Sequence, residues 1–213
     1  MDVAKIIDHT NLKADATEGD ITQTCQEAKK YGFRSVCINS KWVKLAKKLL
    51  EGTKIGVCAV IDWPCGASPT KVRVFQAKVA KKEGADEIDP VMNIGDFKAK
   101  RYGEVLRDLR ALAKVLPAKV IIETGFLTKK EIARAAQLVK KSGAICVKTS
   151  TGMPPKVDIA AKVRHVIIMR KVVGSKFLIK AAGGIRDRGD IEKMVRAGAN
   201  IIGTSAGVEI VKS

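Results

Sequence analysis

Two patterns alternate along the chain. Short runs that are apolar for most of their length occupy residues 6–9, 36–39, 55–61, 87–92, 119–123, 145–148, 177–180 and 200–203. Between them lie longer stretches, such as 71–83 and 129–141, in which apolar residues return every three to four positions. The junctions repeat as well. Lys29-Lys30-Tyr31-Gly32, Lys81-Lys82-Glu83-Gly84, Lys140-Lys141-Ser142-Gly143 and Arg196-Ala197-Gly198 each stand just before an apolar run. Basic residues offset the negative end of a helix dipole, and glycine supplies the left-handed residue that closes the helix. The repeated unit therefore reads as helix, glycine stop, strand.

Strands without polar alternation, separated by helices, predict parallel pairing with both faces covered. Eight such units within 213 residues predict an α/β fold, a (βα)8 TIM barrel, as a single domain over residues 1–213. A doubly wound dinucleotide fold would need G-x-G-x-x-G after the first strand, and that motif is missing from the sequence. Only residues 205–213 follow the last strand, so the eighth helix is expected to be short.

Composition narrows the function classes. The formal charge is +18, from 40 Lys and Arg against 22 Asp and Glu. Such a field attracts anions, nucleic acid included. Much of the excess, however, sits in helical stretches such as Lys41-Trp42-Val43-Lys44-Leu45-Ala46-Lys47-Lys48, where it forms a solvated face. Aromatic content is 4%, which leaves few platforms for stacking bases. We therefore expect no specific nucleic-acid partner. No long uncharged apolar run and no basic-then-apolar leader is present, so no membrane association is expected and a cytoplasmic location is. The five cysteines (Cys25, Cys37, Cys58, Cys65, Cys146) lack C-x-x-C spacing. The expectation is no metal site, with thiols in apolar runs acting as small hydrophobes; a disulfide stays open as the alternative should the host be a hyperthermophile.

In a TIM barrel the chemistry gathers at the C-terminal ends of the strands, and the polar residues here fall there. The ends are Asp8-His9-Thr10, Asp89 with Asn93 beyond it, Glu123-Thr124-Gly125, Lys148-Thr149-Ser150-Thr151-Gly152, Lys180-Ala181-Ala182-Gly183-Gly184-Ile185-Arg186 and Gly203-Thr204-Ser205-Ala206-Gly207. Two lysines, Lys148 and Lys180, end neighbouring apolar strands. Burial and a second ammonium nearby both disfavour a charged amine, which is the state a Schiff-base nucleophile must leave. The competing reading is a structural ion pair with Asp89 or Glu123. The loops after strands seven and eight of a TIM barrel commonly hold phosphate. Gly183, Gly184, Gly203, Thr204 and Ser205 offer bare backbone and hydroxyls there, Arg186 a charge, and Gly152 lies on the adjacent loop.

Taken together, Ile7-Asp8-His9-Thr10-Asn11-Leu12-Lys13, Gly84-Ala85-Asp86-Glu87-Ile88-Asp89, Lys119-Val120-Ile121-Ile122-Glu123-Thr124, Val147 to Gly152, Lys180 to Arg186 and Ile202 to Gly207 make a set. In that order the chain resembles the deoxyribose-phosphate aldolase family over essentially its whole length. The resemblance implies a reversible class I aldol reaction on a phosphorylated deoxysugar, releasing small aldehydes, with no cofactor and no metal. It implies that Lys148 forms the Schiff base, that Lys180 lowers the Lys148 pKa and shares in proton transfer, and that Asp89 relays protons. Asp8, Thr10 and Cys37 support them. A homo-oligomer, dimer or tetramer, is also implied. Three stretches depart from the family pattern: Asp62 to Ala67, Pro90 directly after Asp89, and Met153-Pro154-Pro155 where a glycine-rich stretch is usual. The first alters the loop after strand three, Pro90 cannot donate a ladder hydrogen bond, and the third puts that loop's contribution to phosphate binding in question. The rival readings are a Schiff-base aldolase for another phosphorylated sugar, or a basic barrel that binds phosphate or nucleic acid without chemistry.

Overall fold

A computed structural model describes residues 2–213. The glycine stops behave as the spacing predicts: Gly32, Gly84, Gly143 and Gly198 take φ of 66°, 105°, 85° and 111°. Helix starts are fixed with equal economy. Thr17 and Thr128 each close a capping box, with Asp20 and Glu131 reaching back to the cap backbone. The helices are α1 (Glu18–Tyr31), α2 (Val43–Leu49), α3 (Thr70–Lys82), α4 (Ile94–Lys98), α5 (Tyr102–Ala113), α6 (Lys129–Lys141), α7 (Ile159–Val173), α8 (Arg188–Ala197) and α9 (Gly207–Lys212). The last, six residues long, is as short as expected. Among the described residues no helix is long and apolar enough to cross a membrane.

The strands are β1 (Ile7–Asn11), β2 (Ser35–Asn39), β3 (Gly56–Ile61), β4 (Glu87–Pro90), β5 (Lys119–Ile121), β6 (Cys146–Lys148), β7 (Leu178–Ala182) and β8 (Ile201–Thr204). All ladder pairs are parallel, in the order β4-β3-β2-β1-β8-β7-β6-β5. Single bridges, Ile88 to Ala118 and Val91 to Ile121, close β4 onto β5. This is the (βα)8 barrel that the pattern predicts, with one thin seam. The seam has a cause. Ile88 N–H donates to Pro117 and Met92 N–H to Ile121, so the amide of residue 90 would make the bond between them. Pro90 has no N–H to give. Strand β4 accordingly ends two residues before position 92, and β5 ends at Ile121 because the chain turns at Glu123, with φ 45°.

The two faces of the strands differ in kind. Outward side chains such as Val36, Val57, Ile88, Val120, Val147, Ile179 and Ile202 join the main core with the helices. Inward, only Cys37, Cys58 and Val60 form an apolar cluster, with Leu12 and Trp63 beside it. Ile121, Cys146 and Ile201 share the inward parity of the lysines, but the middle of the bore is charged. Asp8, Asp89, Lys119 and Lys180 are fully buried and Lys148 is 2% exposed. A barrel of this type is usually filled with branched apolar side chains; here ion pairs take their place.

Candidate active site

Asp89, on β4, is the hub. Lys148 Nζ lies 2.7 Å and Lys180 Nζ 2.8 Å from the same oxygen, Oδ2. The two lysines are direct partners in the β6–β7 register, so both amines rise from one level of the sheet. Lys180 also donates to Asp8 Oδ2. Behind them Lys119, from β5, reaches Asp89 Oδ1 at 3.2 Å and Asp8 Oδ2 at 3.8 Å. Arg34 ties Asp8 at 2.6 Å and Glu87 at 2.5 Å, and Ser35 Oγ donates to Asp8 at 2.6 Å.

The electrostatics follow from this packing. Burial would raise the Asp89 carboxyl, yet Lys119, Lys148 and Lys180 hold it well below the usual carboxylate range. Asp8 is pushed up by burial and pulled down further by Lys180, Lys119 and Arg34, ending low. Burial works against the Lys180 ammonium too, but Asp8 and Asp89 outweigh it and hold that group well above its ordinary value. Lys180 is therefore a firmly protonated neighbour. Lys148 differs in surroundings: it shares Asp89 alone, and it lines the open mouth, which Lys180 does not.

That mouth is a cleft of about 920 Å³ over the C-terminal ends of the strands. Thr10, Lys148, Gly152, Gly183, Gly184, Arg186, Gly203, Thr204 and Ser205 all line it. Asp8, Asp89, Lys180 and Cys37 lie beneath its floor, fully buried. The structure thus brings every sequence-nominated residue to one end of the barrel, in two tiers. Some details differ from the expectation. The Thr204 hydroxyl is already spent, donating to Ile185 O in the loop after β7 and accepting from Ala206 N. Arg186 is exposed at the rim. Glu123, proposed as an ion-pair partner for a lysine, instead accepts from Thr151 N at 2.8 Å and from the Thr151 hydroxyl. Trp63, in the departing loop after β3, forms part of the cleft wall and points Nε1 at Thr151 O, 3.4 Å away.

Four groups escaped the sequence reading. Lys119 opens its strand, where a charged residue normally marks the solvated end; its parity with Ile121 and Glu123 was the available signal. Arg34 and Glu87 look like loop and strand-edge charges and gave none. Lys162 sits within amphipathic α7, where lysine is ordinary.

Cys37, Cys58 and Asp89 have donor atoms within 4.8 Å of one another, the geometry of a small metal site. Cys58 Sγ donates to Asp89 Oδ1 at 3.0 Å. Burial and the adjacent Asp89 carboxylate push the Cys58 thiol well above its ordinary value, so it keeps the proton it donates. Yet Asp89 already carries three ammonium groups, and a divalent cation there would face all three. The donor set suits a proton network, not a metal.

Comparison with known proteins agrees with this geometry. The chain matches the model of the DeoC/LacD family aldolases over residues 2–212. It is 50% identical to a deoxyribose-phosphate aldolase of Thermococcus gammatolerans, covering 100% of this chain and 96% of the other. It is 47% identical to one of Mycoplasmopsis pulmonis, covering 100% and 97%. Among solved structures, one assigned to the deoxyribose-phosphate aldolases from Coccidioides immitis superposes with a TM-score of 0.93 at 44% identity, over 99% of this chain and 85% of the other. A deoxyribose phosphate aldolase from Aeropyrum pernix, described as a unique tetramer, superposes at 0.85 with 32% identity, over 99% and 90%.

Proposed function

The chain belongs to the DeoC/LacD aldolase family, and from that membership we propose that it is a Schiff-base aldolase that reversibly cleaves 2-deoxy-D-ribose 5-phosphate to acetaldehyde and D-glyceraldehyde 3-phosphate. The observation that carries the reading is the Lys148 amine in the floor of the cleft, sharing one Asp89 oxygen with Lys180.

Lys148, as the free amine, adds to the C1 aldehyde, giving a carbinolamine that loses water to an iminium. The iminium draws electrons from the C2–C3 bond once the C3 hydroxyl gives up its proton. C3 becomes the aldehyde of glyceraldehyde 3-phosphate, and C1–C2 remains on Lys148 as an enamine. Protonation at C2 and hydrolysis release acetaldehyde and restore the amine. Asp89 Oδ2 touches both Nζ atoms, so a proton can pass between them with little movement. Lys119 holds the other Asp89 oxygen, Oδ1, and Asp8 holds Lys180, so the carboxylate and the second ammonium are both fixed. Cys37 and Thr10 border the network, Thr10 through its bond to Asp8 O at 2.8 Å. The glycine loops after β6, β7 and β8 receive the phosphate.

Incubation with acetaldehyde and borohydride tests this directly. An ethyl group should be found on Lys148 by peptide mass spectrometry. Lys148→Arg should keep the charge and lose turnover by at least about 1000-fold, since guanidinium cannot act as the nucleophile. No adduct on Lys148, or comparable turnover in the variant, would sink the proposal. The Aeropyrum pernix relative also supports reading this chain as a homo-oligomer.

A further inference from the structure

The wall of the cleft holds a cation that none of the preceding chemistry uses. Lys162, on α7, is 2% exposed and lines the mouth. Among the described residues it makes no ion pair within 4.0 Å, and its single hydrogen bond goes to the Gly183 carbonyl. An ammonium has three donors, so two remain unspent. Burying such a group without a counter-charge is costly unless something occupies those donors. Every other fully buried lysine in the barrel is paired: Lys119 and Lys180 each contact two or more carboxylates.

A second orphan lies beside it. Ser150 is 5% exposed, lines the same cleft, and its Oγ has no hydrogen-bond partner. Gly183 joins the two. A Cβ on Gly183, whose φ is +84°, would sit 3.3 Å from Lys162 Nζ, 3.4 Å from Gly152 Cα and 3.6 Å from Ser150 Cβ. The loops after β6 and β7 thus meet over bare backbone, with one unpaired ammonium and one unpaired hydroxyl facing the gap. Arg186, the cation nominated from sequence for this role, stands exposed at the rim.

We propose that Lys162 is the residue that grips the phosphate of the substrate, with Ser150 Oγ as its neighbour, and so sets the preference for phosphorylated over free sugars. This rests on the aldolase reading above and deepens it. Lys162 answers the departure at Met153-Pro154-Pro155, where the loop lacks its usual glycines: the charge comes from the helix beyond the loop. Burial pulls the Lys162 amine down, against the more distant attraction of Glu123, Asp158 and Asp190. A phosphate dianion would restore the charged form, as an ion that arrives with the ligand.

The test uses the full chain and two sugars. Lys162→Met keeps the buried stem and removes the charge. Its KM for 2-deoxyribose 5-phosphate should rise about 10- to 100-fold more than its KM for unphosphorylated 2-deoxyribose, the range for losing a charged hydrogen bond. Calorimetry with inorganic phosphate should show weaker binding by the same order, with partial recovery in Lys162→Arg. Equal rises for both sugars, or undiminished phosphate binding, would overturn the proposal and leave Lys162 as a tether for Gly183. If Lys162→Met does not fold, Ser150→Ala takes its place, with a selective rise of about three- to tenfold; a rise shared by both sugars overturns it equally. Failure of the aldolase reading looks different: wild-type protein would release acetaldehyde from neither sugar, while phosphate calorimetry would still report on Lys162.

Discussion

Asp89 and Asp8 are kept ionised in a dry barrel because Lys119, Lys148, Lys180 and Arg34 surround them. Breaking a buried pair usually costs about 3–5 kcal/mol, since the survivor stays buried. The pH dependence follows from the directions of the shifts. Asp8, Glu87 and Asp89 are lowered on folding. Their contribution is complete above the unfolded carboxylate values of about 4 and is lost as pH falls through the folded ones. Lys119 and Lys180 are raised. Their contribution is complete below the ordinary lysine value of about 10.4 and is lost as pH rises through the folded values. Glu123 and Asp108, which burial raises, work the other way and blunt the acid limb. On these ion pairs alone the urea midpoint should fall as pH drops below about 4, and on the alkaline side only as pH rises above about 10.4. A midpoint at pH 3 equal to that at pH 7 would contradict the ion-pair account.

At the scale of elements, the helix-closing glycines offer a clean test. Gly143 has φ 85°, and a Cβ there would meet nothing within 4 Å. Gly143→Ala therefore isolates backbone strain from packing. It should cost about 1–2 kcal/mol, the penalty of a left-handed residue that carries a Cβ. At this chain length that lowers Tm by roughly 2–4 °C per kcal/mol. An unchanged melting temperature would mean that the glycine stops are incidental. Such stops were legible because they are local: the lysines, the glycine and the next strand all lie within about ten residues. The limits of β4 and β5 were less so. Position 90 lacks its donor, but the loss takes effect only where a particular neighbour is waiting for that bond.

For the whole molecule, the +18 charge is largely a solvated exterior, as in Lys41, Lys44, Lys47 and Lys48, all exposed on or beside α2. Three acids, Asp8, Glu87 and Asp89, stand instead where Lys119, Lys148 and Lys180 are buried. Homo-oligomerisation is expected, and Val72, Phe75 and Val79 on α3 are among the large apolar side chains a lone chain leaves exposed. Light scattering should give a mass that is a multiple of 23.0 kDa; a single-chain mass at micromolar concentration would refute it.

The barrel, its eight strands and the ends at which Lys148, Lys180 and Asp89 stand were all present in the sequence. Strand and helix periodicity and strand-end position are properties of short stretches, and a TIM barrel converts position along a strand into height in the barrel. The partnerships were not present. That Lys148 and Lys180 share one oxygen of Asp89, that Lys119 stands behind them, and that Lys162 has no carboxylate partner among the described residues depend on which side chains from distant elements point into one narrow space. Burial then decides the outcome, because a lysine's chemistry is set by the charges within a few ångströms. Only the closed barrel brings those together.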